Sequence, residues 1–160
     1  MNDLIQVDSG SFFDNNSLED LNAEICNTYK TNNYPWVIGF SGGKDSTATV
    51  QIIWNALVKL PKKELTKPIY IVSSDTLVET PVVVEQINSN LSKMELKAKE
   101  TEFPLYVKKV IPKLGDTFWV NMLGKGYPAP SQMFRWCTER LKIKPVNHFI
   151  LETAASHGEV

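Results

Sequence analysis

The sequence contains few of the residues that build disulfide frameworks, metal centres or membrane spans. It has two cysteines, far apart at Cys26 and Cys137, and two histidines, which is too few for a disulfide framework or a complete zinc site. No apolar run approaches the ~20 residues of a membrane helix, and the first residues include acids but no cationic segment ahead of an apolar one. These absences predict a cytoplasmic protein with no membrane partner.

An excess of positive charge is also missing. The chain has 17 Lys and Arg residues against 18 Asp and Glu residues, which leaves a net charge of −1. Proteins that coat nucleic acid with their whole surface are strongly basic. The composition excludes that class, so any contact with nucleic acid must come from a local patch.

What the sequence does contain is a regular alternation of strand-like and helix-like segments. Helical spacing of apolar residues separates two short apolar runs, which we predict as buried strands at 36–40 and 68–73, and a third, less apolar segment that we predict as a strand at 105–111. Such alternation predicts an α/β fold, a doubly wound parallel sheet with right-handed crossovers and helices on both faces. We assign a lead-in helix to residues 1–34 and a nucleotide-binding domain to residues 35–160.

Two helix starts carry recognisable capping signals. Ser17 followed by Asp20 predicts a capping box at the start of the lead-in helix. Thr80 followed by Pro81 predicts a cap and a first helical residue, opening a helix that runs through Glu100.

The first predicted strand leads into the segment FSGGKDST, residues 40–47, which opens the next helix. At such a turn, free backbone N–H groups and the positive end of the helix dipole favour an anion. Gly42 and Gly43 permit a positive φ and a close approach of the backbone to a phosphate, and Lys44 adds a full charge. An acid and three hydroxyls complete the candidate phosphate site: Asp45, Ser41, Ser46 and Thr47. The alternative is a tight strand-to-helix turn with a capping serine.

Asp75 follows the second predicted strand, and Glu79 lies one turn later. Doubly wound sheets bind ligands beyond the carboxyl ends of their strands, so we expect the segment from Ser73 to Thr76 to face the same crevice as residues 40–47. Asp75 is a candidate for holding a metal ion or a nucleotide hydroxyl. The alternative is that Asp75 only orders the turn at the end of the strand.

Cations and aromatic residues are interleaved between Asp116 and Lys144, where five Lys and Arg residues stand against two acids. Cations beside aromatic faces suit a phosphodiester with an unstacked base. A surface helix followed by a lid loop would have a similar composition. The candidate DNA-binding residues are Lys125, Tyr127, Arg135, Trp136, Arg140 and Lys142.

Several of these segments resemble known motifs. The segment SGGKDS resembles the loop of the PP-loop ATP pyrophosphatases, adenine nucleotide alpha hydrolase-like enzymes that split ATP between the α and β phosphates. The same loop occurs with SSDTLVETP, FWVNMLGKGYPAP and FRWCTERLKIKP. Together these segments resemble the C component of the bacterial DNA phosphorothioation (Dnd) system, in the phosphoadenosine phosphosulfate (PAPS) reductase-like branch of that superfamily.

The resemblance implies an ATP-dependent sulfurtransferase. Members of that family adenylate a DNA backbone phosphate, release pyrophosphate and let sulfur replace a non-bridging oxygen. The implied cofactors are ATP and Mg²⁺, with residues 41–47 around the pyrophosphate and with Lys44, Asp45 and Asp75 as catalytic residues. The implied partners are DNA, a cysteine desulfurase as sulfur donor and other phosphorothioation-system proteins.

The same family implies a [4Fe-4S] cluster, and Cys137 matches its first cysteine ligand. A cubane cluster takes four thiolates, whereas this chain adds only Cys26, on a helix face that we expect to be buried. We therefore expect no cluster to assemble on this chain and treat Cys137 as an orphaned metal ligand or a free buried thiol. We also expect the chain to be an N-terminal fragment, because the family continues beyond the final HGEV into a further strand and more cysteines.

Two other functions remain open at this point. One is a sulfonucleotide reductase or a sulfate adenylyltransferase of the same superfamily. Lys44 and Asp45 argue against the reductases, which have lost the lysine of the loop, and the segments after residue 115 disfavour the adenylyltransferases. The other is a non-catalytic fragment that binds nucleotide or partner proteins.

Overall fold

A parallel three-stranded sheet lies at the centre of the part of the chain that the computed structural model describes, residues 17–157. The strands are β1 (Trp36–Gly39), β2 (Ile69–Ser74) and β3 (Leu105–Val110), in the spatial order β1-β2-β3. Trp36 pairs with Ile69, which pairs in turn with Leu105. The three predicted strands and the mixed α/β architecture with a parallel sheet are therefore confirmed.

Helices precede, connect and follow these strands. The α-helices among residues 17–157 are α1 (Leu18–Lys30), α2 (Lys44–Leu57), α3 (Pro81–Thr101), α4 (Trp136–Thr138) and α5 (Lys144–His157). Short 3-10 turns lie at Lys62–Glu64 and Leu114–Asp116, and single π-helical turns lie at Val120–Gly124 and Glu139–Ile143. No helix among these residues is long and apolar enough to cross a membrane.

Helix α1 begins with the predicted capping box. The Asp20 amide donates to the Ser17 hydroxyl at 3.2 Å, and the Ser17 amide donates to the Asp20 carboxylate at 2.8 Å. Tyr29, near the end of α1, is a member of the main hydrophobic core, so α1 packs on the α/β unit. The rest of the predicted lead-in segment, residues 1–16, lies outside the described residues, as do residues 158–160 at the other end.

The main core fills one face of the sheet. Ile69 and Ile71, two residues apart on β2, point to this face and are fully buried against Leu57 of α2 and Leu91 of α3. Burial of each such aliphatic side chain contributes about 1.5–3 kcal/mol. Helices α2 and α3 therefore cover the same side of the sheet.

Helix α5 covers the opposite face. Tyr70, which alternates with Ile69 and Ile71, packs edge-on against Phe149 of α5, with ring centroids 5.5 Å apart. The prediction of helices on both faces is confirmed, and the two layers leave the carboxyl-end edge of the sheet accessible between them.

Two helices, α2 and α3, begin at the carboxyl-end edge of the sheet. Helix α2 begins at Lys44, so Lys44, Asp45 and Ser46 lie in its first turn. Helix α3 begins at Pro81 and ends at Thr101, close to the predicted bounds, although the Thr80 side chain makes no capping hydrogen bond. Proline at the first helical position suits this start because the missing N–H would have had no helical partner.

Candidate functional site

Three loops share the carboxyl-end edge of the sheet. They follow β1 at residues 40–43, β2 at residues 75–80 and β3 at residues 111–113. Because all strands are parallel, their carboxyl ends meet at one edge, which is where α/β sheets bind ligands.

Gly42 has a conformation and surroundings that require glycine. Its φ is +76°, in the left-handed region where a Cβ is unfavourable. A Cβ added there would also lie 2.8 Å from Cγ1 of Ile87 on α3. Gly43 differs, because its φ is −78° and an added Cβ would make only an ordinary contact, 3.5 Å from the Ser41 hydroxyl. The expected positive φ is confirmed at Gly42 and is not adopted at Gly43.

The loop hydroxyls are partly used within the loop itself. The Ser41 amide donates to the Ser46 hydroxyl at 3.3 Å, and the Gly43 amide donates to the Ser41 hydroxyl at 3.5 Å. The hydroxyls of Ser46 and Thr47 donate to the Gly43 carbonyl at 3.0 and 2.8 Å. The Thr47 hydroxyl proton is therefore already used in a hydrogen bond to the backbone at the start of α2.

The amides of the first turn of α2 remain available. The first helical hydrogen bond runs from the Thr47 amide to the Gly43 carbonyl at 3.0 Å. Within residues 17–157, the amides of Lys44, Asp45 and Ser46 have no acceptor. They are the donors that an anion at this helix start would meet.

A cavity of about 340 Å³ lies beside the loop. Its polar wall comes from Ser41 and Ser46 of the loop, Ser74 and Glu79 after β2, and Lys142 of the second π-helical turn. Its apolar wall is formed by Gly39, Phe40, Val72, Val83, Ile87 and Val146. The cavity thus combines one cation, one carboxylate, three hydroxyls and an apolar surface.

Lys44 and Asp45 do not line this cavity. Both side chains are exposed at the start of α2, and neither has an ion-pair partner among the described residues. The serine hydroxyls of the loop therefore line the cavity, whereas the charged side chains of Lys44 and Asp45 are exposed to solvent at the helix start.

Asp75 is held by neighbouring groups. Lys109 lies 2.8 Å from its Oδ2, and the Leu77 amide donates to its Oδ1 at 2.9 Å. Burial raises the pKa of the Asp75 carboxyl, but the Lys109 hydrogen bond, the Leu77 amide and the Lys109 charge together outweigh burial and hold that pKa below its usual value. Asp75 lines the cavities on the α3 side, next to the loop cavity but separate from it.

Glu79 connects the two sides of this edge. It lines the loop cavity as well as the cavities that contain Asp75, and its Oε1 accepts from the Thr76 hydroxyl at 2.9 Å. The sequence shows Glu79 only as the acid one turn after Asp75, whereas the structure places its carboxylate in the wall of the loop cavity.

The predicted DNA-binding residues divide into a paired group and an open group. Trp136 has 6% of its surface exposed, stacks on Phe118 at 5.4 Å and donates its indole N–H to the Pro128 carbonyl at 3.0 Å. It is a core residue of this part of the chain, so its ring is not a surface on which a base stacks.

Tyr127, Lys125 and Arg140 belong to the same internally bonded group. Arg140 contacts Asp116 at 2.5 Å and the Tyr127 hydroxyl at 2.8 Å. Lys125 donates to the Gly115 carbonyl. These contacts hold the loop between the two π-helical turns in place and pair the charge of Arg140 with Asp116, whereas Lys125 is exposed and has no ion-pair partner within residues 17–157.

Arg135 and Lys142 form the open group. Both are exposed, and neither has an ion-pair partner within residues 17–157. Lys142 lines the loop cavity although it is far from the loop in the sequence. Local sequence patterns do not reveal this placement. Part of the apolar wall of the loop cavity could be anticipated from the sequence, because Val83 and Ile87 are one helical turn apart and therefore lie on the same side of α3.

The two cysteines do not fit a cubane cluster. Cys26 lies on α1 with its thiol 3.5 Å from the Ala56 carbonyl, and Cys137 lies half-buried on α4. No group of three or more His, Cys, Asp and Glu residues that could hold a metal ion occurs in the described part of the chain. The described residues therefore do not supply a cluster site.

Comparisons with known proteins extend this picture only a little. No protein-family model matches the chain. The chain is 34% identical over 128 residues to an uncharacterised protein of Methanocaldococcus jannaschii, an alignment that covers 80% of this chain and 22% of the archaeal protein. The chain thus shares most of its length with a small part of a much longer protein.

Proposed function

We propose that this chain is a PP-loop ATP-binding domain whose reaction is adenylation of a DNA backbone phosphate, ahead of sulfur transfer to that phosphate. One observation carries the proposal: the first turn of α2 presents three amides without acceptors, within residues 17–157, next to a cavity of about 340 Å³. A helix start beside an open cavity suits an anion attached to a larger ligand. The resemblance of SGGKDS to the pyrophosphatase loop supports ATP as that ligand.

In this proposal the first turn of α2 binds the β and γ phosphates of ATP. The amide N–H groups of Lys44, Asp45 and Ser46 lie at the positive end of the helix dipole, which favours an anion, and the Lys44 ammonium adds a full positive charge. Cleavage between the α and β phosphates builds negative charge on the departing pyrophosphate. Donors already positioned at that charge lower the barrier because little reorganisation is needed.

The cavity then receives the reacting phosphates. A non-bridging oxygen of the DNA phosphate attacks the α phosphorus, the bond to the β-phosphate oxygen breaks, and pyrophosphate leaves. Lys142, on the cavity wall beside Ser41 and Ser46, offsets the charge of two phosphates brought together. Ser74 adds a hydroxyl to the same wall.

The carboxylates have separate roles in this proposal. Mg²⁺ takes most of its ligands from ATP phosphates and water, with one or two protein carboxylates, and Asp45 and Glu79 are carboxylates at this edge that have no cationic partner in the described part of the chain. Asp75, held by Lys109, orders the turn that carries Glu79. Sulfur delivery by a cysteine desulfurase follows from the family resemblance, and no step here passes through an iron–sulfur cluster.

Pyrophosphate release tests the proposal. The protein is incubated with ATP and Mg²⁺, alone, with duplex DNA or with sulfate. Release stimulated by DNA supports the proposal. Stimulation by sulfate instead would indicate sulfate adenylylation, and absence of release under every condition would indicate a non-catalytic nucleotide- or partner-binding module.

A loop variant shows whether any release comes from this site. We expect Lys44→Ala to lower the rate by at least about 100-fold, the typical effect of removing one transition-state donor. Lys59→Ala, an exposed lysine beyond the end of α2, is the matched control and should leave the rate unchanged. An unchanged rate in Lys44→Ala would contradict the loop assignment.

A further inference from the structure

A second cleft opens beside the end of β3, on the face of the sheet covered by α5. Its volume is about 280 Å³. One wall comes from the end of β3 and the segment that follows, with Lys108 and Lys113, and the other comes from α5, with Lys144 and Phe149. None of these lysines is among the DNA-binding residues predicted from the sequence. We call this site the β3–α5 cleft.

Several charged groups around the β3–α5 cleft are already paired. Lys109 alternates with Lys108 along the strand, and its ammonium lies on the other face of the sheet, 2.8 Å from Asp75 and 3.2 Å from Asn88. Arg140 is paired with Asp116 at 2.5 Å. Glu152, the other acid that lines the cleft, lies 3.3 Å from the imidazole of His148, and a neutral imidazole does not cancel its charge.

Three lysines and the Glu152 carboxylate define its charge, which leaves a surplus of two positive charges. Lys108 and Lys113 are exposed and have no ion-pair partner within residues 17–157. Lys144 has only a 3.9 Å contact with the exposed Glu139. Three flexible ammonium groups around one concave surface make a favourable site for a polyanion, in a protein whose net charge is −1.

The cleft is close to the loop cavity. Both sites lie at the carboxyl ends of parallel strands, β1 and β3, which are two positions apart in the sheet. At about 4.8 Å per strand, the two strand ends are separated by roughly 10 Å. The segment at the start of α5 contributes to both sites, because Lys142 lines the loop cavity and Lys144 lines the cleft.

We propose that the β3–α5 cleft binds backbone phosphates of the DNA strand on one side of the phosphate that reacts in the loop cavity. This inference rests on the proposed function. Successive phosphates of one strand lie close enough together for neighbours of the reacting phosphate to reach a site at this distance. Lysine ammonium groups bind phosphates as point charges without reading the base sequence. The cleft therefore contributes affinity and alignment and leaves sequence choice to other contacts.

Binding measured without ATP tests this surface separately from catalysis. The fluorescence anisotropy of a labelled DNA duplex is followed at several salt concentrations for the wild type and for the triple variant Lys108→Gln, Lys113→Gln, Lys144→Gln. Loss of three phosphate contacts should reduce the slope of log K against log salt concentration by about 2.7. The matched control is Lys59→Gln, Lys63→Gln, Lys99→Gln, which removes the same charge in segments that lead to the opposite edge of the sheet.

The outcomes separate the inference from the proposed function. A reduced slope in the triple variant with a control that behaves as wild type supports the cleft. An unchanged triple variant, an equal loss in the control, absence of DNA binding by the wild type, or binding of a matched RNA duplex in place of DNA overturns it. If DNA-stimulated pyrophosphate release persists while the triple variant binds as wild type, only the cleft assignment fails. If the cleft lysines bind DNA but no pyrophosphate is released, only the proposed reaction fails.

Discussion

The loop at residues 40–47 and the segment at residues 116–140 are both rich in polar and charged residues, yet the fold uses them differently. In the loop, Lys44 and Asp45 have no ion-pair partner among the described residues, and three amides of the helix start have no acceptor there. In the later segment, Arg140 and Trp136 are tied to groups of the same segment.

The difference shows that composition alone does not identify a binding surface. Cations beside aromatic rings indicate nucleic-acid contact only when their ring faces and N–H groups are free. Between residues 116 and 140 the rings of Phe118, Tyr127 and Trp136 pack on one another, and Arg140 lies 5.1 Å from the centre of the Tyr127 ring. A small core of aromatic and cationic residues therefore explains much of that composition.

The largest expected effect tests whether Trp136 is a core residue. Trp136→Ala should lower the free energy of unfolding by about 3–5 kcal/mol, the usual loss for a buried tryptophan, measured by urea unfolding. Trp119→Ala is the control, because Trp119 is 56% exposed, and it should cost less than about 1 kcal/mol. Equal losses in the two variants would show that Trp136 is not buried as described.

A smaller effect is expected when the two loop glycines are compared. Gly42→Ala should cost about 1–3 kcal/mol because it places a Cβ in the left-handed region and against Ile87. Gly43→Ala should cost less, about 0.5–1 kcal/mol, because its φ of −78° suits alanine although alanine is a poorer N-cap than glycine at the start of α2. Thermal unfolding of both variants measures the difference. A larger loss for Gly43→Ala would mean that the loop has another conformation.

The smallest expected effect concerns the carboxyl of Asp75, which is paired with Lys109 at the edge of the sheet that also carries the loop. The folded-state pKa of its carboxyl is depressed, so its stabilising contribution is present above the ordinary aspartate pKa of about 3.9 and is lost as pH falls through the folded value. Lys109→Gln should raise the pKa of Asp75 and weaken this acid-side dependence. Carbon-detected NMR titration of the carboxyl gives the pKa directly.

Lys108→Gln is the matched control for that titration. Lys108 is the neighbour of Lys109 on β3 but lines the cleft on the other face of the sheet. Its substitution should leave the Asp75 pKa where it was. A comparable rise in both variants would show that general charge, and not the direct 2.8 Å contact with Lys109, lowers the Asp75 pKa.

Much of the fold was predictable because its signals are local. The capping box at Ser17 needs only a carboxylate three residues later, and it is present. The first two strands needed only continuous apolar residues, which predict burial on both faces. The positive φ of Gly42 was readable from two glycines at a strand-to-helix turn, although the pattern did not show which of the two would adopt it.

Site composition was less predictable because it depends on contacts between distant segments. Lys142 and Ser41 are far apart in the chain and line one cavity. Lys67 is 2% exposed, with its ammonium bonded to Asn32 and close to the ring of Tyr29. No local pattern signals that such a lysine is buried.

The order of strands and helices along the chain and the capping of α1 follow from the amino-acid sequence by itself, because each depends on backbone preferences over a few residues. Which charges stay free was decided only by the tertiary structure. Arg140 and Lys142 are two residues apart and look alike in the sequence. One is held by Asp116 and the other reaches the loop cavity, because pairing depends on distances that only the packed chain sets.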